Sequence, residues 1–209
     1  MLTYLLDEEI SKRSLLKHPF YQSWREGKLT LEALRGYAKE YFQLVKTIPR
    51  IVERIIEFSP LSKEKMLLHL KEEKEHIELW LRFAEALGIS RKELLNYDGL
   101  DEIKETLNRL YHLSLNFYDA TALMYSLEAE LPKISKIKAD SLERFYGMKE
   151  KEIKYFRIHE VVDIRHAELW RRILNNSPLK ERDLLLKVCK NSLKAQNQIL
   201  DVIMKTYMR

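Results

Sequence analysis

The sequence predicts an all-α fold, a compact bundle of seven to eight helices. Leu, Glu, Lys, Ile and Arg dominate the composition, and these residue types favour helix through their intrinsic propensities. The chain has only five Gly and five Pro in 209 residues, and strand-like alternation of polar and apolar residues is hard to find. A chain of this length is expected to form one domain with a substantial core. We therefore predict a single domain over residues 1–209.

The N-terminal part is predicted to hold an amphipathic helix, a short helix and then a long one. Residues 2–17 are amphipathic, and a short helical segment follows over 19–26. Thr30 is a good N-cap for a long helix over 30–58, because its hydroxyl can accept a hydrogen bond from a free backbone amide. Pro49 lies inside this helix and is expected to kink it about one turn upstream.

The remaining helices follow from further capping residues and glycines. Ser62 is the expected cap of a helix over 62–87, which ends at Gly88, a residue suited to the left-handed position after a helix. Ser90 starts a short helix that ends near residue 96. The other predicted helices cover residues 100–116, 118–131, 132–146, 149–174 and 179–207.

Charge and cysteine content argue against several classes of protein. The formal net charge is +5, but basic residues alternate with acidic ones, as over 149–152, which is typical of exposed helix faces and not of a nucleic-acid surface. No run of eighteen apolar residues could span a membrane, and acidic residues interrupt the early apolar stretch of a potential signal peptide. The single cysteine, Cys189, fits a reducing, cytoplasmic compartment. Abundant Lys and Glu suggest a heat-adapted protein.

A segment near the C-terminal end places three metal-binding residue types at helical spacing. His159, Asp163 and His166 stand at positions i, i+4 and i+7 of a predicted helix. Residues at these positions lie on one face of a helix, so two imidazoles and a carboxylate converge. Nitrogen and oxygen ligands of this kind suit a first-row transition metal such as iron or manganese that carries out oxygen chemistry.

Two upstream segments complete a candidate set for two metal ions. Glu73 and His76 are three residues apart, although a pair of this kind is also typical of a solvated helix face. Glu128 and Glu130 interrupt an apolar run. A carboxylate in such surroundings needs a cation or a hydrogen bond to offset its desolvation. With the triplet and one carboxylate of the pair Glu128 and Glu130, these segments offer six ligands from three helices.

Six segments of the chain are informative when they are taken together. They cover residues 18–24, 26–29, 37–41, 72–88, 125–132 and 159–167. These segments resemble the PqqC/TenA-like proteins, which have the haem-oxygenase-like all-α fold. Within that superfamily they resemble the CADD-like branch (chlamydial protein associating with death domains), whose members are dinuclear-metal oxidases that make 4-aminobenzoate for folate synthesis. The resemblance extends from about residue 5 to residue 205.

The resemblance implies a complete set of metal ligands, with Glu128 bridging the two metals. The implied ligands are Glu73, His76, Glu128, His159, Asp163 and His166. Because the segment between Glu73 and His76 is shorter than in the chlamydial relative, Glu72 is an alternative to Glu73. The implied cofactors are two iron ions or a manganese–iron pair, with dioxygen and an external reductant, and the ligand types suit either metal pair.

The same resemblance implies that the product is made from the protein's own side chains. Tyr21 would supply the aromatic ring and Lys138 the amino group. Tyrosines that could carry an electron or a radical are Tyr37, Tyr41, Tyr125 and Tyr155. From the sequence alone, Tyr21 is equally typical of a core aromatic residue. Lys138 belongs to a run with Lys133 and Lys136 that is typical of a solvated face.

Two other functions remain open. A related oxidase of the same fold would act on an external amine, amino acid or fatty acid. A metal-free protein would resemble PqqC, which closes the rings of its substrate without a metal, or the TenA-type thiaminases, which rely on an active-site cysteine. Cys189 in the last predicted helix shows no sign of such a role. A metal-free protein could equally be a binding or interaction protein of the same fold. A homodimer is the expected assembly.

Overall fold

The protein is built from ten α-helices, as seen in a computed structural model that describes residues 1–208. Within this range there is no β-strand, which confirms the all-α prediction. The helices are α1 (Leu2–Lys12), α2 (Pro19–Arg25), α3 (Leu31–Phe58), α4 (Glu64–Ala86), α5 (Arg91–Leu95), α6 (Asp101–Tyr111), α7 (Phe117–Glu128), α8 (Leu131–Tyr146), α9 (Lys154–Asn175) and α10 (Arg182–Tyr207). Eight have eleven residues or more, and α2 and α5 are the two short helices that the sequence predicted.

Some helix ends differ from the prediction, and at the end of α1 the reason is a side chain that binds a backbone amide. The helix expected over 2–17 ends at Lys12, and the Ser14 hydroxyl then accepts a hydrogen bond from the Leu16 amide and starts a separate 3₁₀ turn over Leu15–Lys17. This competition between a serine hydroxyl and the helix is a property of short polar side chains. The last two long helices begin later than predicted, at Lys154 and Arg182.

The predicted caps are right at three positions and wrong at one. Thr30 and Ser90 accept hydrogen bonds from Ala33 and Glu93, and Gly88 has φ of 81° just after α4. Ser62 does not cap α4, because the N-cap position falls on the next residue, whose side chain makes no capping bond. Helix α3 continues through Pro49, and the kink there stays a prediction.

Helix α7 forms the centre of the core, and all but one of its residues are buried. It packs against α3, α9 and α10, while α4 packs against both α3 and α9. The buried apolar side chains form one cluster to which every helix contributes. None of the helices that the structure describes has the length and apolar character needed to cross a membrane.

Candidate metal centre

Between Leu67 and His76, helix α4 buries polar side chains and exposes apolar ones. His69, Glu73 and His76 are 1%, 6% and 4% exposed, whereas Leu67 and Leu68 are 52% and 49% exposed. A helix that faces an ordinary hydrophobic core has the opposite arrangement. The inward face of α4 therefore serves a polar site in the interior.

Between His159 and His166, helix α9 has the same inverted arrangement. His159, Asp163 and His166 are 2%, 0% and 3% exposed, and Val161 and Ile164 are 65% and 64% exposed. All three side chains lie on the buried face of α9, as the i, i+4, i+7 spacing predicts, but they do not meet at a single point, because His159 and His166 join different groups of ligand atoms. Because α9 packs against both α4 and α7, this face meets the polar face of α4 inside the bundle.

The candidate ligand atoms form two adjoining groups. In each group, one nitrogen or oxygen atom from every residue lies within 4.8 Å of the others. The larger group contains His69, Glu73, Glu128 and His166, and the smaller contains Glu73, His76 and His159. Glu73 belongs to both groups and so lies at their junction.

Glu128 reaches the larger group from the end of α7. Its Oε1 lies 3.1 Å from Nε2 of His69, and its Oε2 accepts a hydrogen bond of 2.6 Å from the indole nitrogen of Trp170. Leu127 and Leu131 line the cavity beside it, in agreement with the apolar surroundings predicted for this carboxylate. One oxygen of Glu128 is thus held by Trp170, and the other faces the cluster.

The electrostatics of the cluster follow from burying several charges together. Burial raises the pKa of Asp163 to about 8, and the nearby carboxylates of Glu128 and Glu73 act in the same direction. Burial and the neighbouring His76 lower the pKa of His159 to about 3. Burial alone would lower the pKa of His69, but Glu128 and Glu73 raise it to about 10. These shifts arise because buried charges must be compensated locally.

Several buried polar atoms of the cluster have no hydrogen-bond partner. They are both ring nitrogens of His69, Nδ1 of His76 and Oδ2 of Asp163. Unpaired buried polar atoms are costly, so native proteins pair nearly all of them. A divalent cation would give these nitrogens and oxygens a partner, and the imidazole and carboxylate donors suit a first-row transition metal. The residues present therefore fit a metal centre.

All six predicted ligands lie in the two groups or directly beside them. Asp163 is the one outside them, and its Oδ1 lies 3.2 Å from Nδ1 of His166. Glu72, the alternative to Glu73, lies at the margin, where it pairs with Arg165 and its Oε2 is 2.8 Å from Nε2 of His166. Glu130 points elsewhere and accepts hydrogen bonds from the turn that precedes α2.

His69 is the member of the cluster that the sequence analysis missed. Its Nε2 lies 3.3 Å from Oε1 of Glu73, one helical turn away. A signal was available in the sequence, because His69, Glu73 and His76 have the same i, i+4, i+7 spacing as the triplet on α9.

Lys138 is buried, so the interpretation of its lysine run as a solvated face is wrong at this position. Its side chain is 2% exposed, and Nζ donates a hydrogen bond of 2.6 Å to the Tyr37 hydroxyl. Nζ also lies 4.6 Å from the centre of the Tyr21 ring. Burial holds the pKa of Lys138 well below its usual value, because the charged form is poorly solvated there. Lys133 and Lys136 are exposed, as the pattern predicted.

A continuous series of aromatic rings connects Lys138 and Tyr21 to the cluster. Tyr37 stacks on Tyr41 with ring centres 4.9 Å apart, and Tyr41 stacks on Trp80 at 5.5 Å. The Trp80 ring lies 4.7 Å from that of Tyr155, which lies 4.1 Å from the His159 ring. Tyr125 is placed differently, since its hydroxyl donates a hydrogen bond to Asp7.

Two cavities touch the cluster from different sides. The inner one has a volume of about 30 Å³ and is lined by Tyr41, Tyr155 and the carboxylates of the cluster, together with aliphatic side chains. This is room for a molecule the size of water. The outer one, of about 330 Å³, lies between α4 and α9 and has His69 and His166 in its wall.

Comparison with known proteins gives the same fold and a family. Among solved structures, a TenA homologue from Pseudomonas syringae pv. tomato superposes with a TM-score of 0.84 at 14% identity, covering 98% of this chain and 93% of that one. The TenA homologue from P. horikoshii gives a TM-score of 0.83 at 13% identity, with 98% and 99% covered. At these identities the likeness supports the haem-oxygenase-like fold alone.

Other proteins have higher sequence identity to this chain than these solved structures do. A 4-aminobenzoate synthase from Nitrosomonas europaea is 32% identical over 201 residues, which is 86% of this chain and 82% of the relative. A 4-aminobenzoate synthase from Chlamydia pneumoniae is 32% identical over 172 residues, with 78% and 76% covered. The family model described as iron-containing redox enzyme matches residues 69–197, which include every candidate ligand. The chain therefore belongs to the haem-oxygenase-like family of iron-containing redox enzymes, as its resemblance to the CADD-like proteins predicted.

Proposed function

We propose that this enzyme is a dinuclear-metal oxidase that forms 4-aminobenzoate from its own Tyr21, with Lys138 as the amino donor. The observation that carries the proposal is the burial of the Lys138 amine against the Tyr21 ring, at 4.6 Å, in an aromatic cluster that continues to the candidate metal ligands. The names of the sequence relatives support the same product.

The proposed centre holds two iron ions or a manganese–iron pair. Its ligands are the six predicted from the resemblance: Glu73, His76, Glu128, His159, Asp163 and His166. Bound metals of this kind would supply the electrons and the binding positions for reducing dioxygen, with an external reductant restoring them. We infer that Glu73 is shared between the metals in place of Glu128, because Glu73 belongs to both ligand groups and Trp170 already occupies one oxygen of Glu128.

The protein's own residues prepare the two reacting groups. Burial lowers the pKa of Lys138 well below its usual value and so favours the neutral form, which has the free electron pair that a nitrogen donor needs. The Tyr37 hydroxyl accepts the hydrogen bond that orients this amine. Burial also raises the pKa of Tyr21 well above its usual value, so that the phenol stays protonated until it is oxidised. The surrounding rings exclude water from both groups.

The two alternative functions are less well supported. An external amine, amino acid or fatty acid has no room in the inner cavity of about 30 Å³, which holds a molecule the size of water. The outer cavity of about 330 Å³ is large enough for a small molecule, but neither Tyr21 nor Lys138 lines it. A TenA-type reaction needs a reactive thiol, whereas Cys189 is buried in α10 and burial raises its pKa to about 12. The homodimer and the cytoplasmic location stay predictions.

The proposal is tested with protein labelled with ¹³C in its tyrosine rings. We expect the metal-loaded enzyme, given dioxygen and a reductant, to release labelled 4-aminobenzoate and to lose mass in the peptide that contains Tyr21. Tyr21→Phe and Lys138→Met should release none, while Tyr118→Phe and Lys136→Met, changes of the same kind at partly or fully exposed positions, should behave as the wild type.

Two results would contradict the proposal. Unlabelled product in amounts above one per chain would indicate an external substrate. Fewer than about two metal ions per chain after anaerobic loading, measured by elemental analysis, would contradict the dinuclear centre.

A further inference from the structure

The chain contains the same ligand spacing twice. His69, Glu73 and His76 on α4 repeat the i, i+4, i+7 arrangement of His159, Asp163 and His166 on α9. Each triplet has the order histidine, carboxylate, histidine. Because residues at this spacing share one helix face, each helix presents two imidazoles with a carboxylate between them.

The two triplets lie opposite each other, and the two helices run in opposite directions where they meet. The ring of His69 stacks on that of His166 with centres 3.7 Å apart, and the ring of His76 lies 4.3 Å from that of His159. The first histidine of one helix thus meets the last histidine of the other. An approximate two-fold axis between α4 and α9 relates the triplets, and the carboxylate of Glu73 lies in the middle.

The surroundings of His69 identify it as more than a packing residue. It is 1% exposed, and neither of its ring nitrogens has a hydrogen-bond partner. The nearest charged atoms are carboxylate oxygens of Glu128 and Glu73, at 3.1 and 3.3 Å from Nε2. A buried histidine with a purely structural role normally has a hydrogen bond to at least one nitrogen. His159, for comparison, has Nδ1 at 2.7 Å from the Tyr155 carbonyl oxygen.

We propose that His69 is a seventh metal ligand, so that each metal ion takes one imidazole from α4 and one from α9. One ion would be held by His69, His166 and Glu128, the other by His76 and His159, with Glu73 shared between them and Asp163, beside His166, as the remaining carboxylate. This inference rests on the proposed metal centre and adds to it a ligand outside the six that the resemblance to the CADD-like proteins implies. Without His69 the first ion would have a single imidazole.

The proposal specifies the chemistry of that half of the site. Two imidazoles and a carboxylate with open positions are the ligand set of non-haem iron(II) proteins that react with dioxygen. With His69 included, both halves have two imidazoles and share a carboxylate. The ligand sets of the two ions then differ by Glu128, which α7 supplies on one side of the axis.

The test uses Co²⁺, whose visible absorption reports its ligands, as the probe metal. Wild type, His69→Ala and His69→Gln are titrated without dioxygen, with His112→Ala as the control because His112 is exposed and lies just after the end of α6. We expect two ions to bind to the wild type and to the control. In both His69 variants we expect one ion to bind normally and the other at least about tenfold more weakly, because removal of even an outer contact of a ligand costs that much.

Imidazole then distinguishes a ligand from a structural residue. The outer cavity, of about 330 Å³, reaches the position of His69 and can admit the free base. At a concentration that does not remove cobalt from the wild type, imidazole should restore the second ion and its absorption in His69→Ala. The proposal would be overturned if a His69 variant bound two ions with unchanged affinity and spectrum. It would also be overturned if imidazole did not restore the second ion in His69→Ala. Failure of the wild type to bind metal would overturn the proposed function as well.

Discussion

Glu72 and Glu73 are adjacent in sequence but have different surroundings. Glu73 is 6% exposed and belongs to both ligand groups. The Glu72 side chain is 22% exposed, is held by Arg165, and lies 2.8 Å from Nε2 of His166. Nδ1 of His166 faces inward instead, at 3.2 Å from Asp163. A carboxylate on the outer nitrogen of a metal-binding imidazole fixes the orientation and tautomer of the ring. We therefore interpret Glu72 as a residue that positions His166, and not as a ligand.

Glu72→Gln is accordingly expected to keep both metal ions and to bind one of them more weakly. The loss should be about 10- to 100-fold, the usual cost of removing such an outer carboxylate. Glu75→Gln is the matched control, because Glu75 is on the same helix but is exposed and pairs with Lys71, away from the cluster. Competition with a chelator of known affinity measures the effect. Complete loss of one ion would instead make Glu72 a ligand.

At the scale of the helices, the packing of α3 on α10 depends on a glycine. Gly36 is buried in the second turn of α3, and a Cβ atom there would overlap the ring of Tyr207. The ring cannot easily move aside, because its hydroxyl donates a hydrogen bond of 2.8 Å to Glu40. Glycine lowers helix propensity relative to alanine by about 1 kcal/mol. Close contact between the two helices offsets this loss.

Gly36→Ala should therefore lower the free energy of unfolding, although alanine is the better helix former. Overpacking of this kind costs about 1–3 kcal/mol. Urea denaturation measures the change. In a Tyr207→Ala background, where the ring is removed, the same substitution should be neutral or stabilising. If Gly36→Ala and the wild type had equal free energies of unfolding, α10 would be able to move away from α3 with no loss of stability.

At the scale of the whole molecule, the candidate metal centre links three helices that are distant in sequence. Ligand atoms come from α4, α7 and α9. Burial raises the pKa of Asp163 to about 8, and repulsion from the neighbouring buried carboxylates acts in the same direction when no cation compensates them. Bound metal would remove this repulsion and would bind the folded chain much better than the unfolded one.

Metal removal is therefore expected to lower the melting temperature. Free metal at a hundredfold excess over the dissociation constant of one site stabilises the folded state by about 2.7 kcal/mol, which for a chain of this length corresponds to roughly 5–10 °C. Calorimetry with Mn²⁺ and with a chelator measures the shift. His159→Ala should show a smaller shift than the wild type. Identical melting curves with metal and with chelator would contradict the centre.

The sequence by itself determined the helices and one face of the site. Helical periodicity is local, so the spacing of His159, Asp163 and His166 was enough to predict that they share one helix face. The composition, with little glycine and proline, was enough to predict an all-α fold. The position of a helix end was less certain, because the hydroxyl of Ser14 competes with the helix for a backbone amide by a small free-energy difference.

Only the tertiary structure decided which side chains from different helices share a site. His69 belongs to the site because α4 packs against α9. Glu73 belongs to the larger ligand group together with Glu128, which α7 supplies. Lys138 looked exposed in its lysine run, but the packing of α8 against α2 and α9 encloses it beside Tyr21. Such contacts join residues far apart in the chain, and helical periodicity gives the direction of a side chain without identifying its partner.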